Sequence, residues 1–530
     1  MKYAAVVLAL LALAVQAPSK GPHVEISFTS AARGEPITGM VYLAISRDNR
    51  TSPIQQADPS GAPLFSKFVE QLRPGSTVTL GPEDRGHPVA SLRDIPPGDY
   101  WVQPFVNVYT RFARADGHTV WMHMDQWEGQ NWKRSPGNLY GDPVRMHIDP
   151  ASTTPIRLVA DKVIPPITTP ADTDMVKRIR IQSDILTKWW GHPIFIGATI
   201  LLPKDYDTHP DVHYPVNYIQ GHFSTAAPDG FGRGGDFDRL WMAGDTPRFI
   251  YVTLQHPSPY YDDSYGVNSA NNGPFGDAIM QELIPAIETK FRVIREPWAR
   301  MLSGGSTGGW IAIAHQVFYP DFYGGTFASC PDAVDFDYHQ IVNIYKDPNA
   351  YFVDTGWLKI DRPPERRPDG NIVAMMQDEN HFELTVGDKS RSGGQWDIWE
   401  ATYSPVAADG YPMRVWDKQT GAIDHNVAEK WKKYDLLDVL RSNWPSLGPK
   451  VANKINVYVG DMDSYYLNNA VENLNAFLST ATNPKWSGEI VFQRRAPHCW
   501  GPRGPELLQK MTAQIDKYAP AGADKTSWRY

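Results

Sequence analysis

Cysteine is scarce in this sequence, and clustered positive charge is missing from it. The chain of 530 residues has two cysteines and a formal net charge of −8 at pH 7, without a basic cluster. This charge balance argues against nucleic acids and anionic membranes as partners, because both need a positively charged surface. Hydrophobic residues at 42% and charged residues at 21% indicate a globular chain, and the length indicates two or three domains.

Sequence signatures of metal and nucleotide sites are also missing. No H-E-x-x-H pair occurs, and residues 461–464 lack the spaced oxygens and the glycine of an EF-hand loop. The glycine-rich residues 304–309 are not followed by Gly-Lys-Ser/Thr, so they do not form a P-loop. We therefore expect neither a metal nor a cofactor. A two-carboxylate glycosidase site stays open on composition, but it would leave this glycine-rich segment unexplained.

Long apolar runs are limited to the N-terminus. A positive residue precedes the apolar residues 4–15, and small residues suited to signal cleavage follow. We predict a signal peptide at 1–17 and a secreted or periplasmic protein with no membrane span after processing; an uncleaved anchor is the alternative. A single cysteine pair in an exported chain is expected to be joined, so we predict a Cys330–Cys499 disulfide, with two buried thiols as the alternative.

Strand and helix patterns divide the rest of the chain. Residues 22–161 contain short strand-like runs separated by Gly and Pro, and they predict a small antiparallel all-β sandwich domain. Residues 162–172 form a Pro/Thr-rich linker. From 173 to 530 strands alternate with helices, which predicts an α/β domain with a mostly parallel central sheet. Residues 333–453 are too many for a simple crossover and predict a cap-like insertion over the site, which includes Trp416 and a helix near residues 428–440.

Residues 300–314 carry the most informative motif. A short apolar strand leads into Gly304-Gly-Ser306-Thr-Gly308, and a helical pattern follows. In a nucleophile elbow, the turn between strand and helix is so tight that glycine is needed two residues before and after the serine. The strain lifts the Ser306 hydroxyl clear of the backbone, at a helix N-terminus. This context favours a catalytic serine over an ordinary Gly/Ser turn.

A serine nucleophile needs a base and a carboxylate that orients the base. Downstream of Ser306, one strand-like run ends in Gly460-Asp461-Met-Asp463, and the next leads to His498. We predict Asp463 as the acid, with Asp461 as the alternative, and His498 as the base. Taken alone, His498 fits a capped loop histidine and Asp463 a helix N-cap. Their occurrence at successive strand ends, in the order Ser, Asp, His, favours a triad.

An oxyanion hole requires two preorganised N–H donors. We predict that the backbone of Thr307, directly after the serine, supplies the first. We assign the second to the backbone of His222, which follows the strand-like residues 214–221.

At these residues the chain resembles the putative-esterase family of α/β-hydrolases, which includes esterase-D-like, enterochelin-esterase-like and feruloyl-esterase proteins and mycolyltransferases. The resemblance covers roughly residues 173–518 and rests on Tyr214-Pro-Val-Asn-Tyr-Ile-Gln-Gly, Glu282-Leu-Ile-Pro, Gly304-Gly-Ser-Thr-Gly-Gly, Tyr319-Pro-Asp321, Gly460-x-x-Asp463 and His498. It implies an α/β-hydrolase fold, with Ser306, Asp463 and His498 as the triad and no cofactor.

Two features depart from the family pattern. Gln220-Gly221-His222 stands where family strands usually end in His-Gly, which affects the second oxyanion donor. The long insertion before Lys454 is unlike the compact members, so their substrates are not transferred to this chain.

The sequence therefore predicts a secreted serine hydrolase that cleaves small-molecule or glycan-linked carboxylic esters through an acyl-enzyme. Two alternatives stay open: an acyltransferase that uses the same triad, and a non-catalytic glycan-binding protein with a hydrolase fold. A prolyl-oligopeptidase-like peptidase is disfavoured, because about 140 N-terminal residues hold too few blades for a propeller.

Overall fold

The structure, a computed structural model, describes residues 21–530. The predicted signal peptide at 1–17 lies outside the described residues. Over residues 21–530, no helix combines the length and the hydrophobicity that a bilayer crossing requires.

The region before the predicted linker is built of strands and one short helix, α1 (Pro53–Gln56). The strands are β1 (Val24–Phe28), β2 (Ile37–Ser46), β3 (Leu64–Leu72), β4 (Thr77–Leu80), β5 (Arg85–His87), β6 (Gly98–Ala113), β7 (Thr119–His123), β8 (Leu139–Tyr140), β9 (Val144–Ile148), β10 (Ile156–Ala160) and β11 (Lys162–Val163). One sheet has the order β10-β1-β4, and the other has β11-β8-β6-β2-β3-β5 with β7 and β9 also paired to β6. The pairs are antiparallel except β1–β10, which is parallel and departs from the predicted pattern.

Strand β2 connects this region to the rest of the molecule. All ten of its residues are buried, because both faces of the strand are covered. Side chains alternate along a strand, so Val41 and Leu43 enter the core between the two sheets. Tyr42 faces the other way, packs in a cluster with Val386 of the insertion, and donates a hydrogen bond to the Val386 carbonyl.

A third sheet carries the second half of the chain. Its strands are β12 (Val176–Gln182), β13 (Phe195–Leu201), β14 (Val216–Gln220), β15 (Ile250–Gln255), β18 (Arg300–Gly305), β19 (Gly325–Ser329), β24 (Ile455–Gly460) and β25 (Glu489–Gln493). Their order is β12-β13-β15-β14-β18-β19-β24-β25. The pairs β12–β13 and β13–β15 at one edge are antiparallel, and each remaining pair is parallel. The predicted α/β class is confirmed.

Helices cover this sheet, and they are α2 (Asp184–Trp190), α3 (Asp236–Trp241), α4 (Phe275–Ala278), α5 (Ile284–Lys290), α6 (Thr307–Phe318), α10 (Leu436–Val451), α11 (Leu467–Thr480) and α12 (Pro505–Tyr518). A π-helical turn, Ile279–Leu283, joins α4 to α5. Helix α6 is buried from Thr307 to Val317, as expected for a helix that is apolar on all sides. Its packing fixes the position of Ser306, the residue that precedes it.

The insertion contains the remaining short elements. Paired strands β16 (Asn268–Ser269) and β17 (Gly273–Pro274) precede it, and its own are β20 (Phe352–Asp354), β21 (Lys359–Asp361), β22 (Glu365–Arg366) and β23 (Ile372–Ala374). Its helices are α7 (Met376–Val386), α8 (Gln395–Tyr403) and α9 (His425–Trp431). The single helix predicted near residues 428–440 is two helices, because the Asp435 carboxylate caps a new one, α10, by accepting from the Asp438 N–H.

Candidate active site

Ser306 lies in the turn between β18 and α6. Its backbone has φ 56° and ψ −126°, a strained conformation for a residue other than glycine. A Cβ on Gly304 would lie 2.3 Å from the Gly308 carbonyl oxygen, and a Cβ on Gly308 would lie 2.0 Å from the Gln220 carbonyl oxygen. Both positions therefore require glycine, and the turn has the geometry of a nucleophile elbow.

The structure brings Ser306, His498 and Asp463 into one line of hydrogen bonds. His498 Nδ1 lies 2.7 Å from Asp463 Oδ2, and His498 Nε2 lies 3.0 Å from Ser306 Oγ. A carboxylate facing Nδ1 fixes the proton on that nitrogen, which leaves Nε2 free to accept from the serine hydroxyl. The arrangement can deprotonate the serine and stabilise the imidazolium that results.

Asp463 is fully buried, and its two oxygens have different partners. Oδ1 accepts from the backbone N–H groups of Tyr465 at 2.9 Å and Leu467 at 3.3 Å, at the start of α11. Oδ2 faces His498, as the triad interpretation requires, whereas the N-cap position of α11 is occupied by Tyr466 and not by Asp463. Asp461 does not face the histidine, because its side chain accepts from the Arg495 N–H.

A disulfide lies directly behind the histidine. Cys330 and Cys499 are bonded, with Cα atoms 4.8 Å apart. Cys330 follows the end of β19, next to the nucleophile strand, and Cys499 is the neighbour of His498 in sequence. The disulfide therefore ties the histidine loop to the centre of the sheet.

Of the two residues predicted for the oxyanion hole, Thr307 directly follows Ser306 and is buried, whereas His222 lines the cavity beside Ser306. Thr307 is the first residue of α6, where N–H groups have no acceptor within the helix. His222 lies two residues beyond β14 and lines the cavity. Its Nδ1 is 3.1 Å from Asp262 Oδ1 and 3.7 Å from Asp263 Oδ2. Although partial desolvation opposes it, the hydrogen bond and charge of Asp262 raise the pKa of His222 to about 9.

Asp332 is a second carboxylate at the serine, and the sequence argument missed it. Its Oδ1 lies 3.3 Å from Ser306 Oγ, so it competes with His498 for the serine hydroxyl. Its Oδ2 accepts from the hydroxyls of Tyr265 and Thr307 and from the Gln395 amide. Burial raises the pKa of Asp332. It follows a strand end, as Asp463 does, so the same reasoning could have found it.

A cavity of about 690 Å³ opens beside Ser306. Helices α7 and α8 of the insertion form much of its wall, as a cap over the site would. Pro59 and Trp132 of the N-terminal sheets also reach it, and no signal in the sequence indicated this. Trp416, which the sequence argument placed in the cap, is buried away from the cavity.

Comparison with known protein families matches residues 195–478 to the family described as putative esterase. This span is more than half of the chain. The chain belongs to the putative-esterase family. It is accordingly a carboxylic ester hydrolase, and the predicted resemblance is confirmed. A search of curated proteins finds no match.

Solved structures of esterases resemble this putative-esterase chain at low identity. A ferulic acid esterase has 17% identity and a TM-score of 0.35, with 64% of this chain and 97% of that chain covered. An S-formylglutathione hydrolase from Agrobacterium tumefaciens has 12% identity and a TM-score of 0.33, covering 65% and 92%. Est1E from Butyrivibrio proteoclasticus has 13% identity and a TM-score of 0.28, covering 61% and 93%. At these values the likeness carries no argument about substrate.

Proposed function

We propose that this esterase hydrolyses carboxylic esters through a Ser306–His498–Asp463 triad and an acyl-enzyme. The observation that supports the proposal is the continuous hydrogen-bond line from Asp463 Oδ2 through both imidazole nitrogens to Ser306 Oγ. It lies at a strained elbow beside a cavity large enough for an organic ester.

The reaction follows from these positions. His498 Nε2 removes the Ser306 proton as Oγ attacks the ester carbonyl carbon, and the backbone N–H groups of Thr307 and His222 stabilise the oxyanion. The Asp463 carboxylate stabilises the positive charge of the imidazolium, which then protonates the alkoxide leaving group. Water, deprotonated by His498, attacks the acyl-enzyme, and the acid leaves while Ser306 regains its proton.

Alanine substitution at the serine tests this proposal. Ser306→Ala is expected to lower kcat for p-nitrophenyl acetate by at least about a thousandfold, since only binding and the oxyanion hole remain. Ser303→Ala is a matched control, because Ser303 lies on the same strand but its hydroxyl bonds to Asn217 instead. Circular dichroism checks folding of both variants. A Ser306→Ala protein that is folded and as active as the control contradicts the proposal.

Transfer of the acyl group to an alcohol instead of water needs the same residues. Adding an acceptor alcohol to the assay separates the two, because a transferase forms the new ester in preference to the free acid. We propose hydrolysis as the main reaction.

We also propose that the protein is exported and divides at its Pro/Thr-rich segment. An apolar N-terminal run and the Cys330–Cys499 disulfide support export. The proposed units are residues 22–161 and 173–530, with the insertion at 333–453, and 162–172 as linker. N-terminal sequencing of the mature protein and limited proteolysis test these two assignments.

A further inference from the structure

The charged side chains that line the cavity beside Ser306 are mostly carboxylates. Four carboxylates line it, and within residues 21–530 neither lysine nor arginine does; the four are Asp332, Glu365, Glu379 and Glu383. The two imidazoles of the wall, His222 and His498, already face Asp262 at 3.1 Å and Asp463 at 2.7 Å. Once the four carboxylates are ionised, the field inside the cavity is therefore negative.

Three of these carboxylates form no ion pair with the described residues, and one of the three, Asp332, is held by hydroxyl and amide donors. Glu383 lies 3.5 Å from Lys418 Nζ and also accepts from backbone N–H groups. In contrast, Glu365 and Glu379 form no ion pair with any of the described residues. Glu379 accepts a hydrogen bond from the Trp396 indole at 2.8 Å. Burial raises the pKa of Glu379 to about 7, as is expected for a carboxylate that no cation stabilises.

Both glutamates line the same cavity as Ser306 and the proposed catalytic histidine. The negative charge of Glu365 contributes to the raised pKa of Glu379. The pKa of Tyr465 is raised to about 12, mainly because the residue is buried and next because the charges of Glu365 and Glu379 oppose its ionisation. The Tyr465 ring lies 4.8 Å from the His498 ring. A cation beside these glutamates would therefore belong to a molecule bound at Ser306.

The rest of the wall suits such a cation. Tyr261, Phe382 and Tyr465 are partly exposed in the cavity, and aromatic faces attract ammonium groups. Gln340 also lines the cavity, and its side-chain carbonyl oxygen accepts no hydrogen bond from the described chain, so its partial negative charge is unneutralised there.

A sugar-stacking platform is less well supported. Trp396 and Trp399, the tryptophans of the insertion that line the cavity, are 3% and 2% exposed. Their faces are covered by each other and by His339, with ring centroids 4.9 Å apart between the two tryptophans and 4.5 Å between Trp399 and His339. They leave no open indole face for a sugar ring.

We propose that this cavity recognises esters carrying a positively charged ammonium group, held by Glu365 and Glu379 and by the neighbouring aromatic faces. The inference rests on the proposed function, because the ammonium group must reach this position while its ester carbonyl lies at Ser306. Anionic esters are rejected by the same carboxylates.

Matched pairs of substrates test the inference. Acetylthiocholine, which carries its charge in the leaving group, is compared with its neutral isostere S-(3,3-dimethylbutyl) thioacetate. The p-nitrophenyl esters of 4-trimethylammoniobutanoate and of its neutral isostere 5,5-dimethylhexanoate place the charge in the acyl group, far enough from the carbonyl to leave its reactivity similar. For at least one pair, kcat/KM for the cationic ester is expected to exceed that of the isostere by about tenfold. Added salt should shrink this ratio.

Substitution of Glu365 and Glu379 tests whether these two residues cause the preference for cationic esters. In Glu365→Gln/Glu379→Gln the cationic-to-neutral ratio is expected to fall about tenfold. Asp378→Asn is the matched control, because Asp378 is exposed beside Glu379 in sequence and does not line the cavity. It should retain the ratio and the activity. Because the ratio compares two substrates, a general loss of activity does not affect it.

Each outcome decides one of the two proposals. If neutral esters are hydrolysed and neither pair shows a cationic preference, the inference is wrong and the esterase proposal stands. A preference that survives in the double glutamine variant also overturns the inference. If the wild-type protein hydrolyses none of the four esters, the proposed function itself fails for this substrate class.

Discussion

At the scale of single residues, Asp463 and Asp461 offer a direct comparison. They lie two positions apart in the same loop, yet only Asp463 reaches His498. Asp463→Asn is expected to lower kcat by roughly 10³- to 10⁴-fold, because the amide no longer holds the productive tautomer of the imidazole. Steady-state hydrolysis of p-nitrophenyl acetate measures the loss.

Asp461→Asn should change kcat less than about threefold, since its oxygen accepts from a backbone N–H and an amide oxygen can do the same. Equal losses in the two variants would contradict the assignment of the acid.

The residues around the serine were predictable to different degrees. Ser306 and His498 could be found because elbow glycines and strand ends leave a local pattern. Asp332 follows a strand end, as Asp463 does, and the same reasoning could have found it. Glu379 could not be assigned to the cavity from sequence, because it lies on an insertion whose docking no local pattern specifies.

At the scale of elements, the disulfide is expected to hold the histidine loop on the sheet. Cys330 and Cys499 are separated by 169 residues, so removing the bond frees a large loop in the unfolded chain. Cys330→Ala/Cys499→Ala should lose up to about 5 kcal/mol of unfolding free energy. It should also lower kcat more than it changes KM, because His498 loses its anchor.

Urea unfolding and steady-state kinetics of the double variant measure both effects. A variant as stable and as active as the wild type would show that the loop is held by other contacts.

The elements themselves were predicted best where periodicity was strong. Central strands of the third sheet such as β15 and β24, and helix α6, follow from apolar runs in the sequence. Two departures have physical causes. The Asp435 cap divides one predicted helix into two, and the parallel pairing of β1 with β10 joins segments more than a hundred residues apart. Such long-range pairing is invisible to a local pattern.

At the scale of the whole molecule, stability is expected to fall as pH rises from about 6.5 to 9. Burial raises the pKa of Glu379 and of Asp435 to about 7, and the pKa of His222 is raised to about 9. All three groups bind protons more tightly in the folded chain. Their contribution is therefore present at low pH and is lost as the pH rises through these values.

Buried histidines act in the opposite direction, but at lower pH. Burial lowers the pKa of His256 and His339 to about 3 and that of His315 to about 4. They lower the free energy of unfolding only below pH 6.5, the ordinary pKa of histidine, and therefore not between pH 6.5 and 9. Thermal unfolding between pH 6.5 and 9 measures the slope, and His222→Gln should flatten it between pH 7 and 9. A melting temperature that rises over this range would contradict the account.

Contacts between the regions could not be derived from the sequence. Strand β2 is buried on both faces because one face lies in the core between the two N-terminal sheets and the other packs on the insertion. Pro59 and Trp132 thereby become part of the cavity wall. The sequence of β2 predicts a strand, but not which surface would cover its second face.

The central claim is that Ser306 is the nucleophile of this esterase. Labelling of the folded protein with a fluorophosphonate, followed by peptide mass spectrometry, tests it most directly. The account predicts a single stoichiometric adduct on Ser306, nearly abolished by His498→Ala. An unlabelled folded protein, or an adduct on another residue with Ser306 unmodified, would contradict it.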